Sequence, residues 1–288
     1  MSVTPQRTPL ANRPREAQAS PSRGRWRDTR WLVSAFSIKG TFHDLNQDSL
    51  HWQDGQFWGV SDGVGGGAHG EVASRMLMDA MSSLSAPDEQ AVQGALQAAD
   101  RHIDTQIRSL GRGPGAAVMA CLWAQPRPGE WLAAIVGDCK VLHLHRRRGS
   151  WQTQWASTEQ TYEHARLQPP PGVSPQSPAN MVGCGMSLPA LTHSLQVRNG
   201  ERLVLCSDGF ASQLAHPDLS TRVERSKRAL PPDLAQAWCE AARSAGSQDD
   251  ITVLIVQRRD RLTWLTRISL VAAIALVAGA GALAWSLA

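Results

Sequence analysis

The stretch GVSDGVGGGAHGEVAS, residues 59–74, decides the fold of this chain. It joins a β-prone run to an amphipathic pattern through residues 63–70, of which five in eight are glycine. Glycine has no β-carbon, so this backbone can adopt positive φ angles and approach a ligand closely. No Gly-Lys-Ser or Gly-Lys-Thr follows, which excludes a nucleotide-binding P-loop. The stretch therefore predicts a strand, a tight turn after Asp62, and a helix that begins near Glu71.

Four further motifs place an aspartate beside a β-prone run, as the quoted stretch does. They are Asn46-Gln47-Asp48, Val136-Gly137-Asp138, Ser207-Asp208-Gly209 and Asp249-Asp250-Ile251-Thr252. This repetition indicates that carboxylates gather at one rim of a sheet, where their like charges repel one another. Hard divalent cations such as Mg²⁺ or Mn²⁺ remove that penalty. The histidines and cysteines show no spacing typical of zinc.

Outward from this stretch, the sequence pattern combines many strands with a central pair of helices. Apolar residues recur at helical spacing in residues 71–85 and 88–110, and another helix is predicted over about 232–245. The β-prone runs are 31–38, 56–61, 116–124, 131–136, 140–145, 151–155, 192–197, 202–206 and 251–256. Strands around a helical pair predict an α+β domain rather than an alternating parallel sheet.

The two ends of the chain differ from the middle. Residues 1–28 are rich in Arg, Pro, Ser and Gln, so we expect a disordered arm there. Residues 268–288 carry no charged side chain and, as a helix, would extend about 31 Å, enough to cross a bilayer. The basic linker 258–267 favours the cytoplasm for the preceding domain. We therefore expect a single-pass C-terminal membrane anchor with the folded domain in the cytoplasm.

The ordered motif set resembles that of the protein phosphatase 2C family in its bacterial form. The quoted stretch and the four aspartate motifs follow the family's order and spacing over about residues 33–257. The resemblance implies a catalytic domain over 29–257 with the family's αββα sandwich, in which two antiparallel sheets pack face to face and are flanked by helix pairs. It also implies a metal-dependent hydrolase of phosphoserine and phosphothreonine in proteins.

The resemblance further implies a role for each motif residue. Asp62 would bridge two Mn²⁺ or Mg²⁺ ions, and the Gly63 carbonyl would bind one of them. Asp208 and Asp249 would bind the other ion, and Asp48 would act through water that an ion holds. Two ions can lower the pKa of a shared water and place it for in-line attack on a phosphoester, so no phosphoenzyme is needed.

Two more positions complete the implied site, and one of them departs from the family. Asp138, with Asp208, would hold the third ion that is typical of bacterial members. Three residues before Asn46, where the family usually has a phosphate-clamping arginine, this chain has His43. Histidine is only partly charged at neutral pH and has no bidentate fork, so it would hold phosphate more weakly. A second departure replaces the common Asp-His-Ser by Glu159-Gln160-Thr161.

Three functions stay open on the sequence alone. The leading one is an active phosphatase that acts on phosphoproteins and opposes a partner Ser/Thr kinase. The second is a catalytically weak or inactive module that binds phosphoproteins, which His43 motivates. The third is a membrane-anchored scaffold that uses the basic arm. A nucleic-acid partner is not expected, because the net charge is only +4 and the arginines crowd the two ends.

Overall fold

The fold is described from a computed structural model. The described residues are 20–21, 29–42, 44–64, 69–111 and 115–260. Their strands are β1 (Ser20–Pro21), β2 (Thr29–Ile38), β3 (Ser49–Gln53), β4 (Phe57–Val64), β5 (Ala116–Ala124), β6 (Glu130–Val136), β7 (Lys140–Arg147), β8 (Ser150–Ala156), β9 (Leu191–Gln196), β10 (Arg202–Cys206) and β11 (Ile251–Asp260). Their helices are α1 (Gly70–Ser82), α2 (Glu89–Ser109), α3 (Tyr162–Ala165), α4 (Asp208–Ala211), α5 (Pro217–Arg225) and α6 (Leu234–Ser244).

Two antiparallel sheets form the centre of the molecule. The first has the strand order β1-β2-β11-β10-β7-β8 and the second β3-β4-β5-β6-β9. Helices α1 and α2 pack on the outer face of the five-stranded sheet, and α5 and α6 pack on the outer face of the other. This confirms the α+β class that the sequence pattern predicted and the sandwich of two antiparallel sheets that the family resemblance implied.

Strand β5 explains why some β-prone runs of the sequence are apolar throughout and do not alternate with polar residues. Successive side chains of a strand point to opposite faces. Val118 and Leu122 enter the core between the sheets, whereas Met119 and Trp123 pack under the helices. Because both faces are covered, every residue from Ala116 to Trp123 is buried.

Three tryptophans pack against one another in the core between the sheets. The rings of Trp58 and Trp131 stack with centroids 3.8 Å apart, and Trp31 meets both rings edge-on. Trp31 comes from the six-stranded sheet and the other two from the five-stranded sheet. Such large aromatic surfaces contribute strongly to burial, so this cluster joins the two layers.

Some elements differ from the sequence prediction. The predicted helices over 71–85, 88–110 and 232–245 match α1, α2 and α6, with ends shifted by up to three residues. Strand β3 and helix α5 were not predicted. The run of β3 is only five residues long, with Leu50 and Trp52 alternating with polar residues, and α5 buries only Leu219 and Val223. Residues 20–21, assigned to the arm, pair with β2, and β11 extends to Asp260 rather than ending at 256.

The structure does not support the transmembrane helix that was predicted over residues 268–288. Within the part of the chain that the structure describes, no helix combines the length and the apolar character that a membrane crossing requires. Residues 268–288 themselves lie outside that part. The membrane-anchored, cytoplasmic location that we inferred from this helix is withdrawn with it.

Candidate metal centre

The first element of the site is the close contact between strand β4 and the start of helix α1. A β-carbon on Gly63 would run into the backbone of Gly70, so only glycine lets the helix begin directly against the strand. The Gly63 N–H donates to the Gln47 carbonyl over 3.2 Å. The Ser74 hydroxyl on α1 donates to the same carbonyl over 2.6 Å. These bonds hold the loop of Asp48 beside Asp62.

We expect Gly63→Ala to lower the free energy of unfolding by about 1–3 kcal/mol, as overpacking of a tight site does. Chemical denaturation of the metal-free protein measures this loss. Gly94→Ala is the matched control, because Gly94 lies on α2 with open space around it. That substitution should stabilise the protein by about 0.5–1 kcal/mol, since alanine favours a helix. Equal effects of the two substitutions would contradict the close contact.

A second group of bonds joins three of the aspartate motifs. The Ser207 hydroxyl donates to Asp48 over 2.8 Å and accepts the Thr252 N–H over 3.0 Å. The buried Asp250 carboxylate accepts the N–H groups of Gly40 and Gln47 over 2.5 and 2.7 Å. The loop before β3, the end of β10 and the start of β11 therefore meet at one place.

The carboxylates of these motifs raise one another's pKa. Burial is the largest cause that raises the pKa of Asp62, followed by the charges of Asp48, Asp208 and Asp138. Burial also raises the pKa of Asp208 and Asp138, and the charge of Asp249 adds to both. For Asp48, burial raises the pKa more than its hydroxyl hydrogen bonds lower it. The motif aspartates thus form one electrostatic cluster, drawn from both sheets.

The cluster fits hard divalent cations. Asp48 Oδ1 and Asp208 Oδ1 are buried and have no hydrogen-bond partner among the described residues. A buried acceptor without a partner is costly, and a cation relieves both this cost and the repulsion. The donors are all oxygen, which suits Mn²⁺ and Mg²⁺. In the described ranges, no three acidic, imidazole or thiol groups are already gathered around one point that could hold an ion.

The structure places the other predicted residues as follows. His43 lies outside the described residues, as do Gly65, Gly66 and Gly67. Asp138 lies in the turn between β6 and β7, and Asp249 two residues before the start of β11. Asp249 accepts the N–H of Asp250 over 2.8 Å, and its carbonyl accepts from Arg243 over 2.8 Å.

Sequence reasoning missed two features of the site. Asp250 was quoted within a motif but received no role, although it holds the loop that carries Asp48. The ion pair between Lys140 and Glu159 was also missed. The charge of Glu159 helps to raise the pKa of Asp138, after the larger contributions of burial and of the Asp208 charge. The adjacency of Asp249 and Asp250 was the only available signal, and it does not show which carboxylate faces the loop.

Comparison with known proteins supports a family assignment. The family model described as Stage II sporulation protein E (SpoIIE) matches residues 53–259. The serine/threonine protein phosphatase PstP of Mycobacterium tuberculosis (strain CDC 1551 / Oshkosh) is 26% identical over 233 residues, covering 77% of this chain and 44% of that protein. The chain thus spans less than half the length of this relative.

Two further matches agree with this one. The serine/threonine phosphatase stp of Listeria monocytogenes serotype 4b (strain F2365) is 26% identical over 222 residues, covering 69% of this chain and 83% of that protein. A crystal structure of the PstP catalytic domain in complex with two manganese ions has a TM-score of 0.63 at 19% identity, covering 81% of this chain and all of that one. That likeness shows the fold. Since the family model matches well over half of the residues, the chain belongs to the SpoIIE/PP2C family.

Proposed function

We propose that this chain is a metal-dependent protein-serine/threonine phosphatase with a binuclear Mn²⁺ or Mg²⁺ centre. The observation that carries the proposal is the buried cluster of aspartates, in which Asp48 and Asp208 each have one oxygen that no described residue contacts through a hydrogen bond. Such a cluster is unfavourable unless cations balance it. The names of PstP and stp, and the two manganese ions in the PstP structure, support the same activity.

The proposed roles follow the motif positions. Asp62 would hold both ions, with the Gly63 carbonyl on one of them and Asp208 and Asp249 on the other. The ions, when bound, supply positive charge for the phosphate and lower the pKa of a water that attacks phosphorus. Asp48, fixed by the Ser207 hydroxyl, would orient water beside the ions. These residues would hold the ions and orient the water, and none of them needs to form a bond to phosphorus.

The proposal extends to a third ion and to the substrate. Asp138 would share this ion with Asp208, whose charges already act on each other. The substrates would be phosphoproteins produced by a partner Ser/Thr kinase. His43 would contact the phosphate.

A second candidate function is a weak or inactive module that binds phosphoproteins. His43, in place of the family's usual arginine, is the observation that favours it. Against it stands the full set of motif aspartates, which an inactive module has no need to keep buried at the cost of mutual repulsion.

One assay separates the two functions. The full-length chain is tested for hydrolysis of p-nitrophenyl phosphate and of a phosphothreonine peptide, with Mn²⁺, with EDTA, and with EDTA followed by excess Mn²⁺. We expect turnover that EDTA lowers by about 100-fold or more and that added Mn²⁺ restores, because the ions activate the water. Binding of the peptide without turnover under all three conditions would favour the inactive module instead.

A further inference from the structure

The turn that carries Asp138 is short and tightly constrained. Only residues 137–139 join β6 to β7. Gly137 adopts a φ of 81°, and a β-carbon there would meet the side chain of Val118. A three-residue turn of this kind has few alternative conformations, so whatever holds Gly137 also limits the backbone conformation at Asp138.

Gln160 holds Gly137 through both of its backbone groups. The main-chain N–H of Gln160 donates to the Gly137 carbonyl over 2.7 Å. The Gln160 side-chain oxygen accepts the Gly137 N–H over 3.3 Å. Gln160 is 4% exposed, so these bonds are shielded from competing water. The residue before Asp138 is therefore clamped from one side by a single buried glutamine.

The Gln160 side chain also forms hydrogen bonds with two residues outside the turn, Pro189 and Asn180. The Gln160 amide donates to the Pro189 carbonyl over 2.8 Å, and Asn180 donates to the Gln160 oxygen over 3.0 Å. Asn180 is buried, donates to the Leu188 carbonyl over 2.9 Å and accepts the Leu188 N–H over 3.2 Å. Because every polar atom of the Gln160 side chain has a partner, its rotamer is fixed and cannot easily release the turn.

The neighbouring residue holds the other end of the same turn. Glu159 forms an ion pair with Lys140, the first residue of β7. Residues 159 and 160 therefore contact the turn on both sides of Asp138, through Lys140 and Gly137. A glutamine serves this purpose better than a charged residue, since it is neutral, accepts one N–H from the turn and donates to a fixed carbonyl.

We infer that Gln160 is a positioning residue for Asp138 and thereby sets the affinity of the ion that Asp138 helps to bind. This inference rests on the proposed function, because it takes Asp138 to be a metal ligand. Partners that orient a ligand from outside the first coordination shell typically change metal affinity by about 10- to 100-fold. A residue that only stabilised the loop at 178–190 would change the melting temperature without changing ion binding.

The test is a calorimetric Mn²⁺ titration of the EDTA-treated, full-length chain, well below its melting temperature. Asp138→Asn first identifies the binding step that depends on Asp138. Gln160→Met keeps the side-chain volume and the main-chain bond but removes the side-chain clamp, and should raise the Kd of that step by about 10-fold. When Asp138→Asn is already present, adding Gln160→Met should not change the affinity for Mn²⁺ any further. Gln154→Met, at an exposed position on β8, is the matched control and should bind as the wild type does.

The outcomes separate the inference from the proposed function. If Gln160→Met lowers the melting temperature yet leaves the Asp138-dependent step unchanged, Gln160 is only structural and the inference fails. The same follows if Gln160→Met weakens binding equally in the Asp138→Asn background. If neither Asp62→Asn nor Asp138→Asn changes Mn²⁺ binding, the proposed metal centre itself is wrong. Should Gln160→Met not fold, Gln160→Ala removes the same bonds with less bulk and is titrated in its place.

Discussion

The Asp62→Asn variant is expected to turn over p-nitrophenyl phosphate at least about 100-fold more slowly than the wild type in Mn²⁺, a loss of about 2.7 kcal/mol of transition-state stabilisation. The substitution keeps the shape of the side chain but removes the charge that would hold both ions. It also removes one of the like charges in the cluster, so the fold should tolerate it. Steady-state kinetics over a range of Mn²⁺ concentrations measures both the rate and the metal requirement.

We expect the same loss of turnover in Asp208→Asn and in Asp249→Asn, because each substitution removes the charge of a proposed ligand of the second ion. Asp54→Asn is the control, since Asp54 lies exposed in the turn between β3 and β4 and should keep full activity. Wild-type turnover in Asp62→Asn would contradict the binuclear centre. An equal loss of turnover in all four variants, Asp54→Asn included, would show that the loss does not depend on the proposed metal site.

The second large effect is expected on stability, at Asp250. Asp250→Ala should lower the free energy of unfolding of the metal-free protein by about 3 kcal/mol or more. The substitution leaves the buried N–H groups of Gly40 and Gln47 without an acceptor, and hydrogen bonds to charged groups contribute about 1.5–3 kcal/mol each. Relief of the repulsion between Asp250 and Asp48 offsets part of this loss, but the two orphaned donors outweigh it.

Urea denaturation in EDTA measures this change without any contribution from bound ions. Asp249→Asn is the matched control at the neighbouring position, because the asparagine oxygen can still accept the Asp250 N–H. It should leave metal-free stability within about 1 kcal/mol of the wild type, as substitutions that retain their bonds do. If Asp250→Ala proved no less stable than Asp249→Asn, the loop that carries Asp48 would not depend on Asp250.

Much of the fold could be predicted from the sequence, because its signals are periodic. Helix α2 repeats apolar residues at spacings of three and four, and the continuous apolar run of β5 indicates a strand covered on both faces. Strand β3 carries only a short signal, in which Leu50 and Trp52 alternate with polar residues over five positions, and it lies at the edge of its sheet. Its position follows from pairing with β4, which the local pattern does not encode.

The candidate site could be predicted in part. The motif aspartates were identified by their residue types and by their position beside strands, and the structure brings them into one cluster. Asp250 and Gln160 could not be found in this way, because their importance lies in which backbone groups they bond. Those bonds join residues 210 and 203 positions apart for Asp250, and 23 positions apart for Gln160. No local pattern carries such information.

The position of β11 has a consequence for biosynthesis. Residues 251–260 pair along their whole length with β2, near the other end of the folded part, and lie between β2 and β10. A nascent chain that has not yet reached residue 260 therefore leaves β2 and β10 as unpaired edges, which are prone to wrong pairing. Contacts between residues so far apart form late and slowly. We expect the six-stranded sheet to close only after β11 has left the ribosome, and these edges to stay exposed until then.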